Sequence, residues 1–191
     1  MTQAKTAGRP YHHGDLRRAL LAAAAEAIEE AGPAALSLRD LARRAGVSHA
    51  APAHHFGDKA GLLTAFAAEG FELLAAALQR IWAETGSLRE LGVGYVRFAV
   101  DHRAHFEVMF RPDLYHRDDP EVLAAGRRAR DALRVGVAAH RPGGDEAERV
   151  DLAAWSMVHG FATLWLGGAF SEREVGDDLE AAAREVIRQV L

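Results

Sequence analysis

Apolar residues recur at intervals of three and four along almost the whole of this 191-residue chain, and almost nothing alternates as a half-buried strand would. Stripes of that kind are buried only when helix packs on helix, so the spacing predicts an all-α fold of nine or so helices. Residues 15–31 read as a first helix, with Asp15 as its cap and Gly32-Pro33 as its stop. Ser37 and Asp40 form a capping pattern before Leu38, Leu41, Ala42 and Ala45, a stripe that ends at Gly46; this predicts a second helix of about two turns. Ser48 is placed to cap a third segment, His49 to His55, ended by Phe56-Gly57, with Pro52 at the fourth helical position. Asp58 caps a fourth helix that runs to Trp82 and breaks at Gly86-Ser87. Helical spacing resumes over 88–110, and Asp119-Pro120 opens a helix to about His140. After the loop Arg141-Pro142-Gly143-Gly144, a long apolar helix covers 145–169, and residues 171–176 lead into a last one ending at Leu191.

Composition narrows the chemistry. With no cysteine, disulfide scaffolds, Cys-ligated zinc, iron–sulfur clusters and thiol nucleophiles are excluded. No P-loop and no G-x-S-x-G occurs, and no motif places a pair of acids, so the chain is read as no enzyme, with no catalytic residue and no cofactor. His102-x-x-His105, with Glu107 near and His159 elsewhere, lacks a third ligand at set spacing, and no metal is expected. No run of about 18 uninterrupted apolar residues and no apolar N-terminal stretch is present, which makes a soluble cytoplasmic protein without a membrane partner the expectation.

Charge is unevenly divided. Residues 1–60 hold eight Lys and Arg against six acids, while the overall net charge is −4. Two short helices around a glycine-containing turn outline a helix-turn-helix, whose second helix enters the major groove. Leu38, Leu41, Ala42, Ala45, Val47 and Phe56 supply a wedge for helix one, leaving Arg39, Arg43, Arg44, His49, His54, His55 and Lys59 outward.

The segment SLRDLARRAGVSHAAPAHHFGDKAGLL, residues 37–63, resembles the DNA-binding signature of the TetR family of bacterial transcriptional regulators, through Ser37, Asp40-Leu41-Ala42, Ala45-Gly46-Val47-Ser48, His55-Phe56, Lys59 and Leu62-Leu63. Tyr11-His12-His13-Gly14-Asp15-Leu16 resembles the opening of one branch of that family, and Trp155-Ser156-Met157-Val158-His159-Gly160 its C-terminal W-x-x-x-H-G segment. The resemblance implies a flexible arm (1–14), a three-helix helix-turn-helix head (15–60), and an effector-binding and dimerisation body (61–191) joined to it by a long helix. It also implies roles in binding double-stranded DNA: Arg39 on a base edge or a phosphate, Ser48, His49, Ala50 and Ala51 at the start of the recognition helix, and Lys59 on a phosphate. One departure stands out. Family members usually carry an aromatic residue, which contacts a phosphate, where this chain has Ala53, so phosphate clamping falls to His54, His55, Lys59 and the backbone N–H groups at helix starts. Arg9 and Lys5 form either a minor-groove arm or a disordered tail.

In the body, Ala153, Ser156, Gly160, Thr163 and Gly167 share one face of the helix over 145–169, opposite Trp155, Val158, Ala162, Trp165 and Leu166. A small-residue face admits a close helix, either from the same chain or, as the resemblance implies, from the second copy in a homodimer. Phe98, His102, Phe106, Met109, Phe110, Trp155, His159 and Ala162 are candidates to line an effector pocket, the alternative being plain core. The expected function is a dimeric repressor that binds a near-palindromic operator and is released by a small apolar or amphipathic effector. The alternative is a helical ligand-binding or interaction protein with weak or lost DNA binding.

Overall fold

The computed structural model describes residues 13–140 and 145–190, and all regular structure within them is helical. Ten helices follow one another: α1 (His13–Ala35), α2 (Leu38–Arg44), α3 (Ala51–Phe56), α4 (Lys59–Thr85), α5 (Leu88–Asp101), α6 (Arg103–Met109), α7 (Pro120–His140), α8 (Asp145–Leu166), α9 (Glu172–Val175) and α10 (Leu179–Val190). Of the residues expected to form an arm, 1–12 lie outside the described residues, as does the loop at 141–144, while His13 and Gly14 already belong to α1. The chain divides into two compact units, one ending at Leu62 and the other beginning at Leu63, so α4 contributes to both.

In the first unit, α1 buries Leu20, Leu21, Ala24, Ala27 and Ile28, with Leu41 and Ala42 of α2 equally inaccessible. Gly32 takes φ 75°, a left-handed conformation natural only to glycine, and breaks α1 one turn before its end. In the second unit, α5 is the central element. Every residue from Leu91 to Val96 is buried, because both α8 and α10 pack on α5. Gly92 permits this closeness: a Cβ there would lie 2.8 Å from Ile187 Cδ1 and 3.2 Å from Val158 Cγ1.

Capping chemistry is visible in the sequence and present in the structure at several starts. Asp58 Oδ1 accepts from Gly61 N at 2.8 Å, Asp119 Oδ1 from Glu121 N at 2.8 Å, and Ser87 Oγ from Glu90 N at 3.3 Å. Ser37 is the N-cap of α2, but its side chain makes no capping bond. Several boundaries differ from expectation, among them that α1 runs from His13 to Ala35 instead of over 15–31. The last long helix of the body core, α8, stops at Leu166, and a single-turn helix, α9, precedes α10. The 88–110 stretch is two helices, since His102 (φ −124°, ψ 44°) leaves the helical region; His102 and His105 therefore do not share one helix face. Helix α4 contains an 18-residue window long and apolar enough to cross a bilayer, yet 56% of that window is buried within the protein, as in a core helix.

Candidate DNA-binding surface and ligand cavity

The turn between α2 and α3 is a Schellman motif. Gly46 (φ 66°) sits just past the helix end, Gly46 N donates to Arg43 O at 3.2 Å, and Val47 N reaches back to Ala42 O at 2.9 Å. Helix α3 begins two residues later than the sequence suggested, with Ala50 as its cap and Ser48 contributing only its backbone carbonyl, to Ala51 N at 3.0 Å. Ser48, His49 and Ala50 thus belong to the turn and cap, and Ala51 is the first helical residue. The shift moves Pro52 into the first turn, where no intrahelical N–H bond is lost, and its ring is buried against the head. At the other end Gly57 (φ 79°) reverses the chain, and Gly61 lets α4 start close by: a Cβ there would collide with the Phe56 carbonyl oxygen, 2.0 Å away.

The cations expected to face outward fall into two groups. Arg44 is a structural residue, with 22% of its side chain exposed. Its guanidinium holds both Glu30 oxygens of α1 at 2.9 and 2.6 Å and Asp40 Oδ2 at 2.6 Å, which ties α1 to α2. Arg43 shares Asp40 through Oδ1 at 2.6 Å. These contacts hold the Glu30 and Asp40 carboxyls below the usual range, chiefly through hydrogen bonds from Arg44, and raise Arg44 in return. Lys59, half-buried, donates from Nζ to the carbonyl of Ala34 at 2.8 Å, closing the end of α1 with one of its three N–H groups. Arg39, His49, His54 and His55 are exposed, and among the described residues Arg39 has no ion-pair partner. Ala53 is exposed on α3 and offers only a methyl group.

Two mainly apolar cavities lie among the described residues of the second unit. The first, about 340 Å³, is bounded by Phe106, Phe110, His159 and Leu166, with Arg103, Glu107 and Arg111 as charged members and Thr163 and Gly167 completing the wall. The second, about 270 Å³, lies against Phe71, Leu74, Tyr95, Leu133 and Trp155, and Phe110 borders both. A polar chain runs between the aromatic rings. Trp155 Nε1 donates to the Tyr95 hydroxyl at 3.3 Å, and that hydroxyl lies 2.9 Å from His159 Nδ1. Burial raises the Tyr95 hydroxyl well above its ordinary value and lowers His159 below 6.5. His102 is lowered too, first by burial and then by the nearby His105. The guanidinium of Arg130 stacks 4.3 Å above the Trp155 ring and reaches Asp151 Oδ2 at 3.3 Å.

On α8, Ala153, Ser156 and Thr163 are exposed and Gly160 half-exposed, and Gly167, also exposed, lies in the turn just past the helix end; a Cβ built on Gly160 has no side chain or other helix within 4 Å among the described residues. Leu152 and Leu164 beside them are 53% and 48% exposed. Among the described residues, no intrachain helix covers this stripe.

Comparison with known proteins fits this arrangement. The family description "Bacterial regulatory proteins, tetR family" matches residues 20–66, and "Tetracyclin repressor-like, C-terminal domain" matches residues 88–190, more than half of the chain. The chain belongs to the TetR family of bacterial transcriptional regulators. The HTH-type transcriptional regulator BetI of Rhizobium meliloti (strain 1021) is 31% identical over 169 residues, covering 75% of this chain and 74% of that protein. A solved structure of a protein with unknown function from Rhodococcus sp. RHA1 superposes with a TM-score of 0.78 at 38% identity, covering 95% of this chain and 96% of the other. The TetR family regulator PfmR from Thermus thermophilus shares the fold, with a TM-score of 0.64 at 24% identity over 90% and 98% of the two chains.

As a TetR-family protein the chain is a DNA-binding transcription factor of the helix-turn-helix type and not an enzyme. Of the residues singled out for an effector pocket, Phe106, Phe110 and His159 meet at the first cavity, and Trp155 and Phe110 border the second. Phe98, Met109 and Ala162 are buried in the core and line neither, and His102 stacks on Phe98 at 4.7 Å between α5 and α6. Thr163 and Gly167, read from the sequence as dimer-face residues, also border the first cavity. The hydroxyl of Tyr95 and the cavity-facing Arg103 are functional candidates that sequence reasoning missed. The Tyr95 contact spans 64 residues, and no local pattern announces it.

Proposed function

We propose that this TetR-family protein is a ligand-responsive repressor that binds a near-palindromic operator in double-stranded DNA as a homodimer. A small apolar or amphipathic effector in the body releases it. The proposal divides the chain into an arm (1–14), a DNA-binding head (15–60) and an effector-binding and dimerisation body (61–191), acting in the cytoplasm. The observation that carries it is the pairing, in one chain, of a helix-turn-helix with an unpaired Arg39 and exposed His49, His54 and His55, and an aromatic-walled cavity of about 340 Å³.

Arg39 reads a base edge, Lys59 turns its remaining N–H groups to a phosphate, and the methyl groups of Ala50 and Ala51 meet thymine methyls. Ser48 and the backbone N–H groups around it approach the sugar-phosphate chain. The exposed small-residue stripe of α8, with Gly160 at its centre, receives the same stripe of the second copy. For an effector to act, it must bind the DNA-incompetent arrangement more tightly, and a coupling of about 1–3 kcal/mol is the usual size.

A gel shift on the DNA just upstream of the protein's own gene tests this reading. A discrete complex that disappears on adding a cavity ligand supports it; binding no tighter than to unrelated DNA of equal length contradicts it. A second reading, a helical ligand-binding protein with weak DNA affinity, is favoured by Ala53 and by the commitment of Arg43, Arg44 and Lys59 to partners within the head.

A further inference from the structure

His159 is enclosed by rings. Phe110, Phe106, Trp155 and Tyr95 have centroids 4.4, 5.2, 6.0 and 6.3 Å from its own. Its two nitrogens meet different surroundings. Nδ1 faces the Tyr95 hydroxyl at 2.9 Å, and Tyr95 borders the second cavity but not the first. The indole N–H of Trp155 is only a donor, so the Tyr95 oxygen accepts from it and the Tyr95 O–H proton goes to His159 Nδ1. The opposite tautomer would aim two donors at the Tyr95 oxygen and leave its own proton, on a residue 2% exposed, without an acceptor. The network therefore fixes His159 as the neutral Nε2–H tautomer. Burial, which disfavours the charged ring, acts in the same direction.

Nε2 lies on the far side of the ring from Tyr95, and it has no hydrogen-bond partner among the described residues. His159 borders the first cavity, whose inner wall is otherwise Phe106, Phe110 and Leu166. Among its buried and half-buried members only His159 is polar, and the hydroxyl of exposed Thr163 already donates to the His159 carbonyl at 2.8 Å. The charged residues at this cavity, Arg103, Glu107 and Arg111, are all exposed, and Arg111 is already held by Asp113 at 3.1 and 3.2 Å.

We propose that the first cavity selects neutral, flat aromatic molecules bearing a carbonyl-type acceptor, which takes a hydrogen bond from His159 Nε2–H while Tyr95 acts as the positioning residue that fixes the tautomer. This rests on the reading of the cavity as the effector site and specifies the class of molecule it takes. An alkyl group of the same shape fills the space but leaves the donor unpaired, whereas an ammonium group placed at His159 meets a donor where it needs an acceptor; Glu107 and Arg103 also line the cavity, but both are exposed and an ion gains little from a solvated pairing with them.

Four probes on one skeleton test this: 2-acetylnaphthalene, 2-ethylnaphthalene, 2-naphthoate and 1-(2-naphthyl)ethylammonium, measured by equilibrium dialysis against the full-length protein. His159→Phe should weaken the ketone about five- to tenfold, the size of one neutral hydrogen bond, and change the hydrocarbon less than about twofold. Either ion should bind wild type more weakly than the ketone. In nitrogen NMR of the wild type, His159 should show the Nε2–H form, its proton should move downfield with the ketone and not with the hydrocarbon, and Tyr95→Phe should give a mixture of tautomers. Equal losses for ketone and hydrocarbon with an unmoved Nε2–H signal overturn the donor role and leave the cavity standing. Tighter binding of either ion overturns the neutral class. Binding of none of the four overturns the cavity reading as well.

Discussion

Residues 13–62 carry one Phe, Tyr or Trp, which is Phe56, whereas residues 63–190 carry twelve. The first unit fills its interior with Leu, Ile and Ala from α1 and α2 and places its charges outside, either locked together as Arg44, Glu30 and Asp40 are or free as Arg39 is. In the second unit flat rings meet at steep angles, 68° between Phe110 and His159 and 81° between Tyr95 and Phe106, and cavities of about 340 and 270 Å³ lie beside them. Small aliphatic side chains buried between α1 and α2 hold a frame on which a surface can be presented. Large rings around a buried polar chain leave space that a ligand can take.

Leu41→Ala strikes the close-packed unit at a fully buried position and should cost about 2–5 kcal/mol. Hydrogen exchange should then accelerate through α1 to α3 while α5 and α8 keep their protection; uniform acceleration would erase the contrast. Next in size, a Cβ at Gly160 has open space around it, so Gly160→Leu should leave the melting temperature nearly unchanged yet yield monomer in sedimentation and lower operator affinity by about 100-fold through lost bivalency. An unchanged dimer would show that the α8 stripe is not the contact face.

Arg39→Ala should relax selection at one base pair by about 1–3 kcal/mol. Lys59→Ala should weaken all sequences alike, lower the salt slope by about one, and, because Lys59 also closes the end of α1 on Ala34, reduce head stability slightly. Equal affinities for wild type and both variants would remove DNA contact from this surface. The smallest effect is one of pH and belongs to the body. His159 and His102 are held below 6.5 when folded, so they contribute their full stability above that pH and lose it as the pH falls. The melting temperature should decline from pH 6.5 towards 5, and His159→Phe should flatten part of that slope.

Much of this architecture is legible in the sequence because its signals are local. Apolar spacing places the long helices, Asp58 and Asp119 announce their caps, and Gly46 announces the turn through its left-handed φ. What escaped depends on distance or on one backbone angle. The partner that turns Arg44 inward, Glu30, is fourteen residues away, and Lys59 finds Ala34 across twenty-five. Helical spacing continues through His102, where one non-helical pair of angles divides α5 from α6. Phe98, Met109 and Ala162 recur at the same interval as the rings that border a cavity, and periodicity gives no sign of which of them faces a void. Ser48 resembles a cap and so points to a start of α3 at His49, whereas Pro52, whose fixed φ suits a first turn, marks the true start.

The head is proposed to read DNA as half of a symmetric pair. The most direct measurement is selection of binding sites from a random duplex pool by the wild-type protein at physiological salt. The result expected is enrichment of one near-palindromic sequence with half-sites about one helical turn, or a multiple of it, apart, lost with Arg39→Ala at one symmetric pair of positions. Failure to enrich any sequence, or enrichment of a single asymmetric site bound by a monomer, would contradict it.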